Sequence, residues 1–212
     1  MKKQYGGATY LFYLSLAALQ ISCSKSSETL YLTVSDQVKA YYLFQPGTYW
    51  IYQNSKSHQV DCTYISSPPE FYQEKFILDD NKTVHSVTDH YMIRFEGHIF
   101  RWCAIEPDVV SFGNSSPPDF MAYNAGIPLG DARHYYNHYY FENLNFYNEV
   151  MMGSRNFFSV SETRDTHPPE PGTSFSRAMS FLSAKNVGLI QTTIVNSNHD
   201  STWNLIRYHI VQ

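Results

Sequence analysis

His90-Tyr91-Met92-Ile93-Arg94-Phe95-Glu96-Gly97-His98-Ile99-Phe100-Arg101-Trp102 is the stretch whose reading decides the fold. Tyr91, Ile93 and Phe95 fall on one side of an extended chain, and His90, Met92, Arg94 and Glu96 on the other. This is the period of two that a β-strand requires. Glu96-Gly97 makes a tight turn, with Gly97 supplying a positive φ, and the chain returns through His98 to Trp102 as a second strand.

Outward from this hairpin the same signals repeat. Upstream, Gln45-Pro46-Gly47 turns into the bulky run Thr48 to Tyr52, whose two faces should both be covered, and Asn54 to Ser57 ends it. Gln59 to Ser66 alternates, with Val60, Cys62 and Tyr64 on one side and Asp61, Thr63 and Ile65 on the other, until Ser67-Pro68-Pro69 stops it. Phe71 to Leu78 and Thr83 to Thr88 read as two strands around a turn at Asp79 to Lys82. Downstream, Pro107 to Gly130 reads as mostly irregular, and Arg133 to Met152 fits a strand or a short helical piece, its second half a strand. Arg155 to Glu162 is a strand, and the proline-rich His167 to Gly172 is an exposed loop. Ser176 to Ala184, Val187 to Val195 and Thr202 to Val211 close the chain as antiparallel strands. The expectation is an all-β fold in a single antiparallel domain, a curved sheet or open barrel of lipocalin-like or half-barrel form, with a sandwich as the alternative.

Composition agrees with strands. The 18 Tyr, 14 Phe and 3 Trp make up 17% of the chain against 16% charged residues, and aromatics favour pleated, half-buried surfaces. The N-terminus reads as a leader. Lys2 and Lys3 precede an apolar run from Ala8 to Leu19, small Ser22 and then Cys23, the pattern of a lipoprotein signal whose thiol takes a lipid. Gln20 stands where such signals usually carry Leu, so ordinary secretory cleavage near Ser22 and a retained anchor are the alternatives; all three put the folded part outside the cytoplasm. On this reading residues 1–22 are the signal peptide, 23–29 a lipid-anchored tether beginning at an acylated (palmitate-bearing) Cys23, and 30–212 the β domain. Losing Lys2 and Lys3 takes the basic count from 15 to 13 against 19 acidic residues, and the net charge from −4 to −6. No basic cluster remains to engage phosphates, so nucleic acid is excluded as a partner.

Two segments carry a resemblance. Phe44-Gln45-Pro46-Gly47-Thr48-Tyr49-Trp50-Ile51-Tyr52 with Asp61 to Ile65, and Ala184-Lys185-Asn186-Val187-Gly188-Leu189-Ile190 with Trp203-Asn204-Leu205, resemble the first and closing hairpins of a family of uncharacterised Bacteroidota lipoproteins. The resemblance implies an all-β curved sheet or open barrel resident on an envelope membrane, and it implies no activity. Ser24 is not the Asp that signals inner-membrane retention in enteric bacteria, so the outer membrane is expected, with the periplasmic or surface side open.

Candidate chemistry is sparse. Cys62 and Cys103 are the one possible disulfide pair once Cys23 is acylated, with two free thiols the equal alternative. Tyr135, Tyr136, Tyr139 and Tyr140 are the binding candidates, since Tyr offers a flat apolar face with a polar tip. The competing reading packs these rings in the sheet. His134 and His138 stand four apart near Asp131, which on a helix would put two imidazoles on one face, but the segment is strand-like and no metal or cofactor is expected. Asp200-Ser201-Thr202 resembles an O-glycosylation triplet in a turn. No nucleophile or zinc motif is present, so a non-catalytic ligand-binding or accessory role is expected, its partner a small ligand, a glycan or an envelope protein; a glycan-directed hydrolase and a structural envelope protein are the alternatives.

Overall fold

The computed structural model describes residues 29–78, 83–113, 120–124, 128–135, 139–167, 177–196 and 199–212. The elements are β1 (Leu30–Leu32), α1 (Asp36–Tyr42), β2 (Tyr49–Asn54), β3 (Val60–Ile65), β4 (Glu70–Leu78), β5 (Thr83–Glu96), β6 (Trp102–Ile105) and β7 (Val109–Gly113). They continue with β8 (Phe120–Asn124), β9 (Ala132–Tyr135), β10 (Tyr139–Met152), β11 (Arg155–His167), β12 (Arg177–Ala184), β13 (Gly188–Asn196) and β14 (His199–His209). All strands belong to one sheet in the order β8-β7-β6-β5-β3-β2-β14-β13-β12-β11-β10-β9, with β1 and β4 attached to β5. The expected all-β class and open barrel are what the chain forms: the sheet is nearly closed and barrel-shaped, with one unsealed seam.

The opening hairpin is larger than its sequence suggests. Thr83 to Thr88 and His90 to Glu96 fuse into the single 14-residue strand β5. The returning strand starts only at Trp102, where Arg94 pairs with Trp102, and Phe95 N–H donates to Arg101 O at 2.8 Å. Residues 97–101 are thus a loop rather than a two-residue turn. Ile99 and Phe100 sink into the core from it, which is why they read as strand residues. Gly97 does not take a positive φ; it is small because a Cβ there would stand 3.1 Å from Thr63 Cα.

β5 has two partners on each side. On one side β4 pairs with Thr83 to Met92 and β3 follows through Tyr64↔Glu96 and Ile65↔Phe95; on the other β1 pairs, in parallel, with Ser86 to Thr88 and β6 with Tyr91 to Arg94. The first half therefore carries a three-stranded ribbon that leaves the barrel, and β4 residues 70–77 are all exposed.

The pairings also order the two barrel ends. α1, the β12–β13 turn at 185–187, the β10–β11 tip at Gly153-Ser154 and the ribbon lie at one end; the loops at 55–59 and 97–101 lie at the other. Sequence reading assigned no helix at 36–42. Ser35 caps it by accepting from Val38 N–H at 3.2 Å, and Val38, Tyr41 and Tyr42 recur at helical spacing to plug the barrel end. Tyr41 donates to Ser159 O at 2.6 Å and Asn186 N–H to Ala40 O at 2.8 Å.

The segment 107–130 contains β7 and β8, where irregular chain was expected. They are short and border the seam. There β8 meets β11 without a ladder: buried Thr163 donates to Ala122 O at 2.9 Å, and buried Asp165 accepts from Met121 N–H at 2.7 Å. β11 thus presents polar side chains to the backbone of β8 that a neighbouring strand would otherwise pair.

Elsewhere the two-faced reading of β3 holds and two other readings need adjustment. β3 buries Asp61, Thr63 and Ile65 and exposes Val60, Cys62 and Tyr64. Its polar face goes inward because Asp61 accepts from Thr63 Oγ1 at 3.0 Å and His98 N–H at 3.1 Å, tying down the loop. In β2 only Trp50, Tyr52 and Asn54 are buried; the other face is half-covered. Ser201 and Thr202 lie inside β14 rather than in a turn. Asn54 donates to Ser201 Oγ at 2.7 Å, and Thr202 bonds Thr193 at 3.2 Å, so both hydroxyls are engaged.

Candidate functional site

A lipocalin-like barrel would bind inside. Here the interior is filled by aromatic side chains whose polar tips are spent on the backbone. Trp50 Nε1–H donates to Val187 O at 2.7 Å and Tyr52 to Leu189 O at 2.9 Å; Phe44 and Phe95 meet the Trp50 ring edge-on at 5.3 and 6.1 Å. Burial raises the pKa values of Tyr42, Tyr52 and Cys103 well above their ordinary range, so all three stay protonated. What remains is a cavity of about 20 Å³ among Tyr42, Trp50, Tyr52, Phe95 and Phe112. Among the described residues that cavity has room for about one water.

The useful concavity lies outside. On β11, β12 and β13 the residues between the buried Thr163, Asp165, Phe181 and Thr192 face outward: Glu162, Arg164, Thr166, Ser180, Gln191 and Thr193. They line a groove of about 440 Å³. A bulge at Leu182/Ser183 increases the local twist that hollows it.

Its side chains hold one another in place. Tyr147 donates to Glu162 Oε2 at 2.6 Å and Asn145 to the same oxygen at 3.0 Å; the Glu162 carboxylate keeps the proton on the Tyr147 phenol, raising its pKa. Arg164 reaches Ser180 Oγ at 3.3 Å and Glu142 at 3.7 Å. Gln191 donates to Asn204 at 2.6 Å. Carboxylate, guanidinium, amide and hydroxyl groups thus alternate over three strands, an arrangement that can donate to and accept from several hydroxyls at once.

Of the tyrosines expected to bind, Tyr140 lies beside this groove. Tyr139 pairs with Tyr135 and Tyr140 with His134 across β9 and β10. Half-buried Tyr140 also stands opposite Thr166, a groove residue. Tyr136 and His138 fall outside the described residues, as do the side chains of Tyr135, Tyr139 and His134. His134 is in strand β9, so the helical geometry that would align it with His138 is absent. Among the described residues no cluster of ligating side chains could hold a metal ion. Cys62 and Cys103 are free thiols, one exposed and one buried, so the possible disulfide is not formed. Their strands alternate so that Cys62 faces out and Cys103 faces the core. Cys23 lies outside the described residues.

A second constellation went unread in the sequence. His90 is buried at the root of the ribbon, its ring stacked on Tyr72 at 4.8 Å, with Nε2 3.3 Å from Glu74 and Nδ1 3.5 Å from Glu106. It joins three strands or their ends, β4, β5 and the β6–β7 turn. Glu162, Arg164, Ser180, Gln191 and Thr193 were also missed. Their only sequence signal is period-two polarity on three separate strands, and no strand alone distinguishes a groove from a solvated face. Comparison with family models, curated proteins and solved structures finds no match for this chain.

Proposed function

We propose that the chain is an envelope lipoprotein, tethered through Cys23, that binds a polyhydroxylated ligand of the glycan class in the β11–β13 groove and does not transform it. The observation that carries this reading is the contrast, among the described residues, between an interior cavity of about 20 Å³ and a polar exterior groove of about 440 Å³ whose side chains are fixed by mutual hydrogen bonds. Pre-held groups lose little entropy when a ligand docks, and Tyr140 and Tyr147 at the rim offer flat faces to sugar rings. The two acidic groups of the region support binding over hydrolysis: Glu142 is engaged by Arg164 and Glu162 by Tyr147 and Asn145. Neither is left directed at an open cleft as a glycosidase pair would be.

The test uses the mature chain on an array of bacterial-envelope and plant oligosaccharides, with Arg164→Ala/Gln191→Ala beside it. Retention of one glycan class, lost in the double variant with little change in melting temperature, supports the reading. Absence of any retained glycan, or retention indifferent to the double variant, removes it. Release of shortened oligosaccharides would favour the hydrolase instead.

A further inference from the structure

Exposed apolar side chains gather at one end of this barrel. On the ribbon, Leu30 pairs opposite Ser86, as does Phe76, so these two share one face, while Ile77, past a register shift and opposite Val84, points from the other; each is half-exposed or more. At the tip of β10–β11, Met151 and Phe158 lie on one face and are 75% and 61% exposed. Both protrusions flank the end plugged by α1. Among the described residues, two carboxylates are interleaved on the Phe76 face: Glu74 stands 3.3 Å from His90 Nε2 and Glu70 2.9 Å from Arg94 Nε.

The chain enters the fold at this same end. Thr29 Oγ1 donates to Val84 O at 3.1 Å, fixing the start of β1 beside Ile77. Cys23 precedes Thr29 by six residues, which span at most roughly 20 Å when fully extended. An acylated Cys23 therefore holds the ribbon within that distance of the bilayer. Among the described residues at this end the exposed cations are Lys75, Arg155 and Lys185 and the exposed carboxylates Asp36, Glu74, Asp108 and Glu149, so no net positive charge draws it to an anionic surface. Apolar contact rather than net charge selects the partner.

We propose that the helix-plugged end is a membrane seat: the ribbon tip, with Leu30 and Phe76 on one face and Ile77 on the other, and the hairpin tip of Met151 and Phe158 rest at two points in the interface of the bilayer that carries the anchor. The seat rests on the reading of Cys23 as a lipid site. It holds the groove residues Thr166 and Val195, which lie toward the opposite end, away from the surface. Apolar residues placed at headgroup depth add to the single-signal grip of a lipid chain, as interfacial anchors do.

The test uses the full acylated protein in phosphatidylcholine vesicles, with Cys62→Ser to remove the exposed thiol and Cys103 left buried. A bimane label is placed by Ile77→Cys, Met151→Cys or, at the far end, Lys56→Cys. Flotation reports the anchor, and quenching by doxyl-phosphatidylcholine reports the seat. Expected are co-flotation of all three, with blue-shifted and quenched emission at 77 and 151 and none at 56. Co-flotation without quenching at either site overturns the seat and leaves the anchor standing; quenching at one site alone overturns the two-point contact. Emission shifts that follow protein concentration without lipid assign the face to a second copy and overturn the seat. Failure to float, with no lipid mass on the mature chain, overturns both readings.

Discussion

Thr163→Val tests the seam directly, because it removes one hydroxyl and keeps the shape of the side chain. Ala122 O, buried in the seam, accepts from Thr163 at 2.9 Å and from Tyr42 at a longer 3.4 Å. Losing the short bond while keeping the long one should cost about 1–1.5 kcal/mol, the net worth of an ordinary hydrogen bond. For a chain of this size that is a fall of roughly 2–6 °C in melting temperature. Tyr42→Phe alone removes only the weaker bond to this carbonyl. Together the two substitutions orphan a buried acceptor, so their combined cost should exceed the sum by about 0.5 kcal/mol or more. Thermal melts of the wild type, the two single variants and the double variant give this coupling. Hydrogen exchange adds the location: β8 amides should lose protection before those of β12 and β13. Strict additivity, or unchanged protection of β8, would refute the claim that side chains from β11 seal the barrel.

Alkaline pH supplies a second test. Tyr42, Tyr52 and Cys103 hold their protons in the fold because burial raises their pKa values, whereas the unfolded chain releases them near about 8.5 for a thiol and 10 for a phenol. Stability from these groups is full below those values and declines as pH rises beyond them, which denaturant titrations from pH 8 to 11 will show; a flat profile contradicts their burial. In the same samples Cys62 should react with a thiol reagent in the native state and Cys103 only on unfolding. Gly97→Ala would set a Cβ 2.7 Å from Thr63 Oγ1 and 3.1 Å from its Cα, an overpacking cost of about 1–3 kcal/mol by denaturant melt. Gly188→Ala combines φ +87° with a Cβ 2.9 Å from Phe44, so it should lose at least about 1–2 kcal/mol from the backbone alone; a neutral result at either glycine would contradict the packing described.

Strands with an apolar face were legible, because alternation or an aromatic run is a local property: β2, β12 and β13 lie within a residue or two of their expected bounds. The misses have distinct causes. α1 is only seven residues long, and its Tyr41 and Tyr42 look like strand residues until their spacing from Val38 is noticed. β5 reads as two strands because its partners change midway while its backbone does not. Ser161 to Thr166 is polar at every position, since its inner residues Thr163 and Asp165 serve the seam while its outer ones line the groove. With both faces polar, nothing in that run tells inside from outside. The groove was reached only at its rim, through Tyr140, because it is assembled from three strands.

The pairing of β2 with β14 has a consequence in time. Neighbours in the barrel, they come from opposite ends of the chain, and Thr48 Oγ1 is bonded to Val211 as the two meet. Synthesis proceeds from the N-terminus, so Trp50 and Tyr52 emerge long before Val187 and Leu189, whose carbonyls satisfy their polar tips. No early portion can finish folding by itself. The order of birth and the order of assembly are opposed, and closure waits for the last strand, on the millisecond-to-second scale typical of such non-local pairing.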